Sequence, residues 1–116
     1  DTQISSVAPV FDNGSCLLPQ TDENIMQRCI EDEDEMNARI YTFPTSMIKQ
    51  DNKKINYFDF LHAPDMPQGL RSALNQLVPL IQALDINALI DSTPYLTPLQ
   101  RQFYIQYLIL RRQILF

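Results

Sequence analysis

The chain has 116 residues, 45% hydrophobic and 20% charged, and a formal net charge of −5. That is enough for one domain with its own core, or for a piece of a larger protein. The charge argues against direct nucleic-acid binding, no apolar run approaches the roughly 18 residues of a membrane span, and one histidine (His62) with two cysteines (Cys16, Cys29) offers neither a zinc-like cluster nor a histidine triad.

From the N-terminus, residues 2–11 mix apolar and β-branched side chains (Ile4, Val7, Val10, Phe11) with Thr2, Ser5 and Ser6. The mixture predicts a strand, with Pro9 near its exit because proline has no N–H for a central ladder. The strand delivers Asp12 into a turn, Asp12-Asn13-Gly14-Ser15, and residues 11–20 read as loop. The plain reading of Asp12 is a turn opener. A chain that starts at Asp1, without methionine, on a strand with few partners is expected to be cut from a longer protein. Residues 2–11 should then pair with another strand of the chain, pair with a second copy, or pack as an irregular arm. Two cysteines and no secretory pattern lead to the expectation of a reduced, cytoplasmic setting.

Thr21, followed by Asp22 and Glu23, reads as a hydroxyl cap with acids at the positive end of a helix whose packing face is Ile25, Met26, Cys29 and Ile30. The acidic run 31–35 points all around a helix and cannot converge on one ion, so it reads as a solvated connection. A second short helix, Glu33 to Tyr41, should turn Met36, Ile40 and Tyr41 inward and stop at Pro44. Between Met47 and Tyr57, two apolar ends flank a polar Asp51-Asn52 turn, the pattern of a small hairpin. Lys49, Lys53 and Lys54 at its tip read as a solubilising edge rather than a phosphate site. Tyr57, Phe58, Phe60 and Leu61 begin a short helix or a packed corner.

Residues 64–69 read as a linker. Leu70, Leu74, Leu77, Val78, Ile81 and Leu84 then recur at helical steps, with Pro79 expected to kink or end that helix. A short helix, Ile86 to Asp91, should end before Pro94. Thr97-Pro98-Leu99-Gln100 carries a capping box with proline at the first helical position. Its helix should run to Phe116 and bury Phe103, Tyr107, Leu110 and Ile114, with Arg111 and Arg112 near its negative end. Both apolar stripes read as core. The expected fold is mainly α: four or five helices, an N-terminal strand and one short β-hairpin, in a single domain 1–116. Its expected parts are strand and metal-binding loop (1–20), short helices and hairpin (21–63) and a helical bundle (64–116).

Two chemistries place one aspartate at a strand end before a glycine turn. An aspartic protease needs two such loops in an all-β frame, whereas this chain is mostly helical and has only Gly14 and Gly69. A kinase needs the carboxylate to hold Mg²⁺ against nucleotide phosphates, and that demand fits. The blocks "APVFDNGSCLLP", "RIYTFPTSMI", "KKINYFDFL" and "FYIQYLILRRQIL" occur in this order. Together they resemble the C-terminal lobe of HipA-like serine/threonine kinases, whose fold is protein-kinase-like and related to the phosphatidylinositol kinases.

The resemblance implies that Asp12 is the metal ligand corresponding to the kinase DFG aspartate. It also implies Mg²⁺ and ATP as cofactors of an intact parent, a protein substrate phosphorylated on Ser/Thr, and an antitoxin-type partner of the kind family members use. Asn13, Gly14 and Ser15 match the turn and carry no separate role. The family's nucleotide lobe, phosphate loop, ATP lysine and catalytic loop would all precede Asp1, so the isolated piece is expected to be inactive, with no catalytic residue of its own. The alternative is a non-catalytic helical protein-binding module in which Asp12 only shapes a turn.

Overall fold

The computed structural model describes residues 21–43 and 45–116. The expected N-terminal strand, the Asp12 turn and Pro44 lie outside the described residues.

Helix α1 spans Glu23–Glu31, capped by the Asp22 carboxylate, which accepts the Asn24 N–H at 2.7 Å. Asp22, rather than the expected Thr21, is therefore the cap: its short carboxylate reaches the first free amides and matches the helix dipole. Helix α2, Glu33–Thr42, follows after one extended residue, Asp32. Asp32 ends α1 by donating its N–H to the Arg28 carbonyl, and starts α2 by accepting the Asp34 N–H at 3.0 Å. The acidic run is thus two helix ends sharing one residue. Glu33, Asp34 and Glu35 sit in the first turn of α2, where negative charge is favoured. Arg28 and Glu35 stand 3.7 Å apart and largely exposed, a pair that contributes at most about 1 kcal/mol.

Strands β1 (Lys49–Gln50) and β2 (Lys53–Lys54) pair antiparallel, Lys49 opposite Lys54 and Gln50 opposite Lys53. The expected Asp-Asn turn is borne out. Asp51 and Asn52 have φ of 52° and 67°, the two left-handed positions of the tight hairpin turn that suits strand twist. The Ile55 N–H donates to the Ile48 carbonyl at 3.0 Å and extends the ladder by one rung. The short segment after it is a helix, α3 (Tyr57–Leu61), nucleated by Asn56, whose Oδ1 accepts from both Phe58 and Asp59. Helix α4 (Gln68–Gln82) begins inside the expected linker and runs through Pro79 without ending there. Helix α5 (Ile86–Asp91) is capped by Asp85, and α6 (Pro98–Leu115) carries the expected capping box, Thr97 and Gln100 exchanging bonds at 3.1 and 3.0 Å. The described residues thus form six helices and one hairpin, a mainly α architecture as read from the sequence.

Helix α6 is the axis. Helices α1, α2, α3 and α5 all pack on it, and Phe103, Tyr104 and Tyr107 from α6 meet Met26 and Cys29, Met36 and Ile40, Phe58, and Ile86 and Ile90. Leu110 and Ile114 pack against this core while partly exposed. The Phe103 ring stacks on Tyr107 at 5.8 Å and meets Tyr104 edge-on at 5.7 Å. Each such side chain, fully buried, contributes about 1.5–3 kcal/mol.

Two expectations about the core are corrected. Tyr41 does not turn inward: it is 48% exposed, because Met36 and Ile40 already fill the face of α2 toward α6. Its ring instead stacks on Phe58 at 5.7 Å, and its hydroxyl donates to the Asp59 carboxylate at 2.9 Å. The stripe on α4 is not core either, since no residue of that helix is buried. Leu74, Val78 and Ile81 are half-buried, while Leu70, Leu77, Leu80 and Leu84 stand outward. The sequence period marked an apolar face without saying that the inner face and the outward one are different.

Candidate functional site

The residue singled out by the sequence, Asp12, lies outside the described residues. Those that are described bring together no group of three His, Cys, Asp or Glu side chains able to hold a metal ion. The acidic stretch from Asp32 to Glu35 is accounted for by helix capping and dipole, and it makes no ion site.

A groove of about 710 Å³ opens on the described surface where the hairpin faces α3 and the start of α4. Ile48 and Ile55 from the hairpin, Phe60 from α3, and Met66 and Leu70 form its apolar walls, while Lys49, Asp59 and Asp65 supply charge at its edge. Asn56 positions this wall twice over. Its Oδ1 starts α3, and its Nδ2 donates to the Tyr41 carbonyl at 2.9 Å, tying the end of α2 to α3. Asp59, one turn along α3, is held by the Tyr41 hydroxyl. That bond, with some desolvation and the carboxylate's charge, raises the Tyr41 phenol above its ordinary value. The phenol therefore keeps its proton and donates, and does not act as a base at neutral pH. Sequence periodicity missed this pair, because the partners lie 18 residues apart on different helices.

The other reactive groups serve the fold. His62 Nε2 lies 3.1 Å from the Ile114 carbonyl and satisfies one of the open acceptors at the end of α6. Cys29 is buried against α6, and desolvation pushes its thiol above the ordinary value, which makes it a poor nucleophile. Arg111 donates to the Phe43 carbonyl at 3.1 Å and to the Tyr107 hydroxyl at 3.2 Å, locking the exit of α2 onto α6. Arg112 donates to the Ile81 and Leu84 carbonyls at 3.2 and 2.8 Å and fastens the last turn of α4 to α6. Lys53 and Lys54 are exposed on the hairpin with Lys49. No described side chain pairs a nucleophile with a base. What these residues offer is a rigid helical support with an apolar groove and one exposed helix face.

Comparison with known proteins supplies the context for that support. No protein-family profile matches the chain. It is 45% identical over 98 residues to the serine/threonine-protein kinase CtkA of Helicobacter pylori, an alignment covering 84% of this chain and 30% of that kinase. The crystal structure of the H. pylori proinflammatory kinase CtkA superposes with a TM-score of 0.75 and 38% identity, over 93% of this chain and 38% of that one. The chain therefore spans about a third of the length of the kinase it matches. In sequence and in shape, this chain is homologous to the C-terminal portion of a HipA-like serine/threonine kinase.

Proposed function

We propose that the chain is the C-terminal portion of a kinase that transfers phosphate from ATP to Ser/Thr of a protein, and that these residues alone do not catalyse transfer. The observation that carries this reading is the 45% identity to a serine/threonine kinase over most of the chain, joined to the likeness of fold. Asp12 is the residue proposed to hold Mg²⁺, as the aspartate that ends the "APVFD" block. Asp12 would hold the metal, whose chemistry there would be to neutralise charge on the phosphoryl group being transferred.

Among the described residues no three His, Cys, Asp or Glu side chains come together to hold a metal ion, and this reading draws the other ligands from the parent kinase. In this reading the described helices serve as a frame, since catalysis of this kind depends on holding its groups in place. Inactivity of the isolated piece follows from chemistry. Phosphoryl transfer needs a base or water-positioning group and two-sided stabilisation of the phosphoryl oxygens, and one carboxylate supplies neither. A protein substrate, an antitoxin-type partner and a cytoplasmic setting belong to the same reading, and so does the lack of direct nucleic-acid contact. No described helix is long and apolar enough to cross a membrane.

The test is phosphotransfer from γ-labelled ATP to a protein acceptor or to the enzyme itself. The full gene product is expected to transfer label and the 116-residue chain is not. Transfer by the short chain would overturn the inactivity, and a full gene product lacking an upstream kinase catalytic loop would overturn the parent assignment.

A further inference from the structure

Helix α4 has two apolar faces. The inner one, Leu74, Val78 and Ile81, leans half-buried on the rest of the molecule. The outer one is Leu70, Ala73, Leu77 and Leu80, separated by steps of three, four and three residues and exposed throughout, with Leu84 also exposed just beyond the helix end. The four leucines are 45%, 51%, 67% and 54% exposed. That spacing is the seam along which one helix receives another.

The helix is also held in place. Arg71 donates to the Ala63 carbonyl at 3.2 Å near its start, and Arg112 grips the Ile81 and Leu84 carbonyls at its end. An exposed leucine stripe on a helix fixed at both ends has a preset orientation toward whatever covers it.

We propose that the outer face of α4 is an internal seam of the parent kinase, covered by an amphipathic helix from the part of the parent that lies upstream of this chain. The proposal rests on the kinase reading above. Two observations choose this occupant. First, the chain covers only 30% and 38% of its kinase relatives' lengths, so most of such a protein lies outside it. Second, the stripe suits an attached partner better than a free one. Its exposed leucine surface amounts to about two whole side chains, well short of the roughly 800 Å² per partner of a stable complex. Arg71 is the only charged residue of α4, and it is engaged with Ala63, so the flanking charges by which free coiled-coil partners select each other are missing. A covalently attached helix needs neither, because its effective concentration is high.

The experiment introduces Leu77→Gln with Leu80→Gln into the 116-residue chain and into the full gene product, with Ser72→Gln and Asn75→Gln, both exposed and off the stripe, as a control pair. Thermal melting and sedimentation are read for each. The expected result is a small drop in midpoint for the short chain, a drop larger by several degrees in the full product, and no effect of the control pair in either. An equal loss in the short chain would mean that the stripe is covered within these residues, and would overturn the proposal. So would a short chain that sediments as a dimer and is dissociated by the pair, which assigns the seam to a second copy. An unaffected full product, or a gene product of only 116 residues, also overturns it. If the pair destabilises a full product that has no kinase catalytic loop, the seam stands and the kinase reading falls, so the two failures are distinguishable.

Discussion

Replacing Phe103 by alanine tests where this molecule keeps its stability. Phe103 is fully buried in the second turn of α6, stacked on Tyr107 and edge-on to Tyr104, with α1, α2 and α5 packed on the same helix. Truncating a buried phenylalanine costs about 3–5 kcal/mol, the lost transfer energy plus the cavity left behind. Leu77, half-exposed on α4, stands to lose about 1 kcal/mol or less, since even full burial of a leucine contributes only about 1.5–3 kcal/mol. A domain of this size has a total stability of about 5–15 kcal/mol, so Phe103→Ala should remove a large share of it and Leu77→Ala a small one. Urea unfolding followed by far-ultraviolet circular dichroism reads both. With a slope of about 1–3 kcal/mol per molar, the Phe103→Ala midpoint should fall by more than 1 M and that of Leu77→Ala by under about 1 M. Comparable shifts for the two variants would refute the placement of the core on α6 and the outward placement of the α4 stripe.

Other outcomes follow from single residues. Cys29, buried and with its thiol pushed up by desolvation, should react with a thiol reagent at pH 8 far more slowly in the native chain than in urea, measured in a Cys16→Ser background. Native and unfolded chains reacting at similar rates would contradict its burial. Stability should fall at alkaline pH. Cys29 and Tyr41 both have folded values raised above their ordinary 9.0 and 10.0, so the unfolded chain releases those protons first. The loss should begin near pH 9 and deepen above pH 10, and Tyr41→Phe should remove only a share of the later part, because burial raises the Tyr104 phenol as well, read as melting temperature against pH. Tyr95 is wholly exposed with φ of 66°, a left-handed backbone that disfavours a bulky side chain by about 1–2 kcal/mol, so Tyr95→Gly should raise the urea midpoint. A lowered midpoint would mean that the ring makes a contact which outweighs the strain.

Local chemistry was the legible part of the sequence. The Thr97–Gln100 capping box, the Asp51-Asn52 turn and the helical spacing of Met26, Cys29, Met36 and Ile40 each depend on residues within a turn or two of one another. The errors fell where tertiary context decides. Tyr41 sits at a position helical spacing would bury, yet two neighbours fill that space and its hydroxyl finds Asp59 on another helix. The leucines of α4 follow a perfect helical period, but periodicity marks an apolar face and does not say which surface it meets. Thr21 lost the cap to Asp22 because a carboxylate one residue later serves the same amides. Of the two outcomes expected at Pro79, a kink or an end to α4, the end is excluded, since the helix continues to Gln82. The ordered blocks that resemble a kinase lobe carried the family relationship, which no single spacing or charge pattern contained.

Asp12 carries the chemical claim, and nucleotide binding tests it most directly. The measurement is the affinity of the full gene product for ATP with and without Mg²⁺, in the parent form and as Asp12→Ala. A metal-ligand role predicts that the variant loses affinity only when magnesium is present. Equal affinities for parent form and variant in the presence of magnesium would return Asp12 to an ordinary turn residue and remove the metal site from the account.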